Sequence, residues 1–141
     1  MSYIEENTYK AMINIFSTIS NKEGSLYEGY FAADMMKVDR KDCVYPCFLG
    51  FNSTSIVIVK VNSELEKEDI NFINVSCIKE IKIKRMFLST SFYLIIECDD
   101  NTSYKIAVPN SLKYIKTQQE NVEKFLNNIK NMNKIKLIAK I

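Results

Sequence analysis

The sequence predicts an α+β fold, an antiparallel sheet curled around a core with helices kept to the two ends of the chain. Three observations predict it. Apolar residues recur at helical spacing near the start, at Tyr9, Met12, Ile13, Phe16 and Ile19. They do so again near the end, at Val122, Phe125, Leu126, Ile129 and Met132. Between these stripes lie about six or seven short runs rich in β-branched and aromatic residues, punctuated by polar turn residues. A block of strands with helices outside it argues for α+β, and 141 residues form one domain with enough chain to bury a core.

The first helix is expected over about residues 3–21. Ser2 and Glu5 fit a capping box, and Gly24 is the stop, because glycine tolerates the left-handed conformation that ends helices. Strands follow at Leu26–Met36, Val44–Phe51 and Ser55–Val61, the last of these, SIVIVKV, being dense in β-branched residues. Asn52-Ser53-Thr54 supplies the turn before it. A polar, acidic loop, NSELEKED, leads to a strand segment from Ile70 to about Phe87. Within it Ile81 and Ile83 share one face while Glu80, Lys82 and Lys84 share the other. Ile78 has the wrong parity for that alternation, which predicts a bend or bulge near Lys79. Phe92–Cys98 and Ser103–Val108 read as a hairpin around Asp99-Asp100-Asn101-Thr102, and Pro109 ends it for want of an N–H. Thr117 and Glu120 fit a second capping box, opening the amphipathic closing helix.

Composition excludes several classes of function. Hydrophobic content of 47% and charged content of 26% are those of an ordinary globular domain. A net charge of +2 is too small for a dedicated nucleic-acid binder. The richness in lysine, isoleucine and asparagine reads as the bias of an AT-rich bacterial genome. No secretion signal or membrane-spanning run is evident, so a cytoplasmic protein with reduced thiols is expected. Cys43 and Cys47 stand three residues apart with no second close pair and no histidine in the chain, so no metal site and no cofactor are expected. Histidine is also the commonest general base near neutral pH, and Gly24, Gly29 and Gly50 are too scattered for a phosphate-binding loop. Catalysis is therefore not expected.

The stretches FLGFNSTSIVIVKVN, INVSCIKEIKIKRMFLSTSFYLIIECDDNTSYKIAV and QQENVEKFLNNI, taken in order, resemble the bacterial pleckstrin-homology-like and GRAM-type domains over roughly residues 26–132. The resemblance implies a partly open antiparallel β-barrel of about seven strands, capped by the C-terminal amphipathic helix, with the N-terminal helix as an addition. It also implies binding or assembly and not catalysis. Many eukaryotic members bind phosphoinositides at the first hairpin. Here that hairpin, KVDRKD, mixes acidic and basic residues and is not a phosphate cradle.

The chain accordingly divides into an N-terminal helix, 1–24, expected to pack on the domain or on a partner, a pleckstrin-homology-like domain, 25–133, and a tail, 134–141. The expected function is a non-enzymatic module that self-associates or binds a protein partner, with a homo-oligomer as the expected assembly. The alternative is weak binding to an anionic membrane surface through a basic and apolar hairpin tip, made by Lys82, Lys84, Arg85, Met86, Phe87 and Leu88. Most of the charge in CIKEIKIKR reads as the wet face of a strand. In the tail, KIKLIAKI, period two places Ile135, Leu137, Ala139 and Ile141 on one face, helical spacing instead clusters Leu137, Ile138 and Ile141, and a frayed end is the third alternative; Ile135, Leu137 and Ile141 are the candidate contacts for assembly.

Overall fold

The computed structural model describes residues 6–24, 26–86, 88–113, 115–132 and 136–140. Helix α1 spans Glu6–Glu23. Strands β1 (Gly29–Val38), β2 (Lys41–Phe51), β3 (Ser55–Val61) and β4 (Lys67–Asn74) follow as a meander. A 3₁₀ turn, Val75–Cys77, leads into β5 (Ile78–Arg85), β6 (Phe92–Cys98) and β7 (Ser103–Val108). Helix α2 spans Gln118–Lys130, and β8 spans Lys136–Lys140. The strand order is β4-β3-β2-β1-β7-β6-β5-β8. Seven strands are antiparallel to their neighbours, and β8 lies parallel to β5. The sheet does not close. This is an α+β, partly open antiparallel barrel of the pleckstrin-homology-like kind, with α2 plugging it and α1 added outside.

Alternation along the strands sorts the core into two layers. Inside the curl lie Phe31, Ala33, Met35, Leu49, Phe51, Ile56, Ile58, Ile81, Leu94, Ile96, Ile106 and Val108, joined by Val122, Phe125 and Ile129 of α2. The ring of Phe125 meets those of Phe31 and Phe51 edge-on, with centroids 5.4 and 5.3 Å apart. The outer layer joins Met12, Phe16 and Ile19 of α1 to Ala32, Phe48, Val57, Val59 and Val61. Strands covered on both faces need apolar residues at successive positions, which accounts for the unbroken run SIVIV. Leu65, inside the polar β3–β4 loop, is also buried in this layer. Asn62 shapes that loop, its side-chain oxygen accepting the N–H groups of Glu64 and Glu66 at 2.9 Å each.

Two glycines are required for different reasons. Gly24 ends α1 with φ +68°, as its sequence position predicts, and its N–H donates to the Ser20 carbonyl at 2.9 Å. Gly50 sits under Phe16, where a Cβ would lie 2.4 Å from a ring carbon. With no side chain at Gly50, the Phe16 ring settles onto the sheet and stacks on Tyr30 with centroids 5.0 Å apart.

Other boundaries differ from expectation. The first strand begins at Gly29 and not at Leu26, which is exposed. The bulge falls between Ile78 and Glu80, at the anticipated place. The Thr117 capping box does not form: Thr117 has helical backbone angles and no side-chain cap. Its neighbour Gln118 is fully buried and performs a long-range task instead. β7 pairs with β1 only from Asp34 onward, so the first half of β1 lacks a strand on that side. Gln118 fills the gap. Its Oε1 accepts the Ala32 N–H at 3.0 Å, and its Nε2 donates to the carbonyls of Ala32 at 2.8 Å and Pro109 at 2.9 Å. Asn121, one turn on, donates to the Tyr30 carbonyl at 2.9 Å. The Ser2–Glu5 capping box lies outside the described residues.

Four variants check this account. Gln118→Leu strands three buried backbone groups and should cost about 2–4 kcal/mol in denaturant unfolding. Gln118→Glu sets a carboxyl against two carbonyl oxygens, which raises its folded-state pKa. The variant should therefore be relatively stable below the ordinary carboxylate range and lose stability as pH rises through the raised value. Gly50→Ala must displace Phe16 and should lower the melting temperature by about 3–10 °C. Gly24→Ala meets nothing within 4 Å, and should cost only about 1 kcal/mol of left-handed strain.

Candidate functional site

The β5–β6 hairpin carries most of the residues singled out from the sequence. Along β5 the alternation holds: Ile81 is buried and Ile83 half-buried, while Glu80, Lys82 and Lys84 face the other way. Lys82 is engaged there. Its Nζ lies 3.7 Å from Glu80 Oε2 and 3.6 Å from Glu97 Oε1 on the neighbouring strand. A lysine shared between two carboxylates is a poor anion receptor, so this part of the basic run is a solvated strand face. Lys84 and Arg85 are exposed at the strand end. The turn closes with the Met86 N–H donating to the Ser91 carbonyl at 3.0 Å, and Ser89 Oγ accepts the Ser91 N–H at 3.0 Å. Met86 is half-buried. Leu88 stands at φ +53° and is 90% exposed. A leucine in the left-handed region, exposed in the turn that follows Lys84 and Arg85, forms an apolar tip. Phe87 lies outside the described residues.

A second concavity, about 410 Å³, opens between hairpin tips and is lined by Asp39, Arg40, Lys79, Glu97, Asn101 and Thr102 among others. The β1–β2 hairpin has a two-residue loop, Asp39-Arg40, with φ of +52° and +70°, the mirror-image turn that suits strand twist. Asp39 ties this loop to β7. Its N–H donates to the Ser103 carbonyl at 2.8 Å, and its Oδ1 accepts the Ser103 N–H at 2.9 Å. Asp100 accepts the hydroxyl of Thr102 at 2.7 Å and its N–H at 3.1 Å. These bonds hold its carboxyl below the usual range, the hydroxyl contributing most. The carboxylates here shape turns, as the reading of Asp99-Asp100 as turn residues expected.

The four thiols differ in access. Cys47 is fully buried, and burial, reinforced by the nearby Asp34 carboxylate, pushes its pKa far up. Burial likewise raises Cys98, and Cys43 is half-buried. Cys77 is exposed, in the turn before β5.

The open ends of the sheet are the third surface. On one side the tail forms β8, in register with β5 from Glu80 opposite Lys136 to Lys84 opposite Lys140. Leu137 is in register with Ile81; Ile135 and Ile141 lie outside the described residues. On the other side β4 ends the sheet. It carries Phe72, 49% exposed on the outer face. This edge was absent from the sequence-based candidates. Its signal was the alternation in DINFIN, where Ile73 turns inward and leaves Phe72 outside. Among the described residues no group of side chains suits a metal ion, and no helix is long and apolar enough to cross a membrane.

Thiol access gives a direct check. Under native conditions a neutral alkylating reagent should modify Cys77 first, read by peptide mass. Cys47 should react only after denaturant is added.

No protein-family model matches the chain, and no curated protein matches it. Among solved structures, it is similar to the hSac2 domain from human phosphoinositide phosphatase Sac2. The TM-score is 0.56 at 8% identity, over 92% of this chain and 89% of that one. It is also similar to the C-terminal domain of an unknown protein from Leishmania infantum, with TM-score 0.55 at 9% identity, over 82% of this chain and 94% of that one. At such identities the likeness is one of fold, and the fold it supports is the one the strand order already describes.

Proposed function

We propose that this chain is a non-enzymatic, pleckstrin-homology-like module of the bacterial kind that self-associates or binds a protein partner. The observation that carries this reading is the open sheet, whose β4 edge has no further strand beside it among the described residues and carries an exposed aromatic residue. Unpaired backbone groups beside an apolar side chain are what strand-addition partners recognise. The polar groups lining the 410 Å³ concavity support the same reading, since Asp39 and Glu97 already serve the fold.

A specific observation favours a second reading, peripheral contact with an anionic membrane. Leu88 is exposed in the β5–β6 turn, which follows the exposed Lys84 and Arg85 along the chain. Each cation near an anionic leaflet contributes about 1 kcal/mol, and a buried leucine about 1.5–3 kcal/mol. One tip is weak, and several presented by an oligomer gain through avidity.

Light scattering and vesicle co-sedimentation separate the two readings. Under the first, the full chain has a mass above that of one copy, or captures a protein partner through β4. It also ignores vesicles of anionic phospholipid. Under the second, it sediments with those vesicles at low salt, is released at high salt, and loses binding in a Lys84→Ala, Arg85→Ala, Leu88→Asp variant. A chain of single-copy mass that binds vesicles in this way would replace the first reading by the second.

A further inference from the structure

We infer that two copies of this chain pair antiparallel through their β4 edges, about a two-fold axis at Phe72. The inference rests on the self-association reading above and names its surface.

Backbone parity decides which groups the edge offers. The Asn52 N–H donates to the Ser55 carbonyl, so Ser55, Val57 and Val59 turn their hydrogen-bonding groups toward β2. Ile56, Ile58 and Lys60 therefore bond to their register partners Ile73, Asn71 and Asp69. The Val75 N–H, donating to the Thr54 carbonyl at 2.8 Å, continues the same pattern. Ile70, Phe72 and Asn74 must then face the free edge. A separate contact agrees: the Ile70 N–H is taken by the side chain of Asp69 at 2.9 Å and not by β3.

That cap blunts the front of the edge, where Lys67, Glu68 and Asp69 are also charged and exposed. Edge charges of this kind oppose unregistered pairing. The rear half carries no charge. A two-fold register at Phe72 sets each Asn71 opposite the second copy's Ile73 and each Ile70 opposite its Asn74. Each Phe72 N–H then donates to the other copy's Phe72 carbonyl, and each Asn74 N–H to the other's Ile70 carbonyl. The charged front halves pass the uncharged Val75–Cys77 turn of the second copy, so no like charges meet. The two Phe72 rings come together on the outer face, the aromatic cross-strand pair that stabilises antiparallel ladders. The opposite edge lacks this self-complementarity. A two-fold register at Ile138 of β8 would set Lys136 against the second copy's Lys140.

Asn74 allows a backbone test. Its φ is −71°, already the value proline imposes, and its N–H points away from β3. Asn74→Pro thus removes an edge donor without straining the strand, while Phe72→Lys sets two cations together at the axis. Sedimentation velocity of the full chain over a wide concentration range should give wild-type mass rising toward twice that of one copy. Both variants should remain at single-copy mass, self-association weakened by about tenfold or more, with melting temperatures near wild type. An oligomer unaffected by either change overturns this interface and leaves self-association to another surface. A wild type of single-copy mass throughout overturns both. Dissociation by Phe72→Lys alone would mean an apolar contact without strand pairing, and would overturn the register.

Discussion

The fold hinges on a gap. β1 is the strand on which both halves of the sheet meet, yet β7 accompanies it only from Asp34 onward. Before that point β1 is buried on both faces and would present unpaired amide groups to the interior, at about 1–3 kcal/mol for each unsatisfied group. Gln118 meets the need because a primary amide carries both a donor and an acceptor, matching the N–H and C=O of Ala32 as a neighbouring strand would. Asn121 extends the substitution to Tyr30. These bonds fix the start of α2, and α2 in turn presents Val122, Phe125 and Ile129 to the barrel interior. The plug and the seal are one element.

The second constraint is that the β1–β3 half of the sheet is covered twice. α2 fills its concave side and α1 its convex side. Strands buried in this way surrender the polar face by which an antiparallel sheet ordinarily meets water. The wet faces move outward, to β4 with its charged front and to β5 with Glu80 and Lys82. Surfaces available to a partner therefore sit at the ends of the sheet and at the hairpin tips, not on its broad faces.

Much of this was legible in the residue order. The helical stripes, the β6–β7 hairpin and the bulge near Lys79 follow from periods of 3.6 and 2 and from one break in parity. Such signals are local, because a side chain's direction depends only on its neighbours along the chain. What stayed hidden depends on residues far away. Thr117 looked like the helix cap because capping is a local pattern, whereas Gln118 is defined by a strand 86 residues earlier. Leu65 was lost in an acidic loop, since nothing nearby shows that α1 and the sheet need it. The β4 edge escaped for the same reason: a strand's position in the sheet order is a property of the whole topology. The tail's extended conformation was favoured only slightly over a helix by its alternation, which Ile138 breaks. Its parallel pairing with β5 was not legible, because either direction satisfies a period of two.

The separation between Ala32 and Gln118 also bears on how the molecule is made. Ribosomes add roughly 5–20 residues per second. Gln118 stands 86 residues after Ala32 and therefore follows it by about 4–17 s. As they emerge, β2, β3 and β4 can pair with β1 and with one another, but the front of β1 has no partner on its β7 side and the concave face has no plug. Closing so long a loop adds little entropy per extra residue, yet it delays the reward until nearly all of the sheet is present. The nascent chain thus spends seconds with an apolar trough and an amide-lined slot open to other molecules. Synonymous codons that slow the stretch before Gln118 would lengthen the exposure.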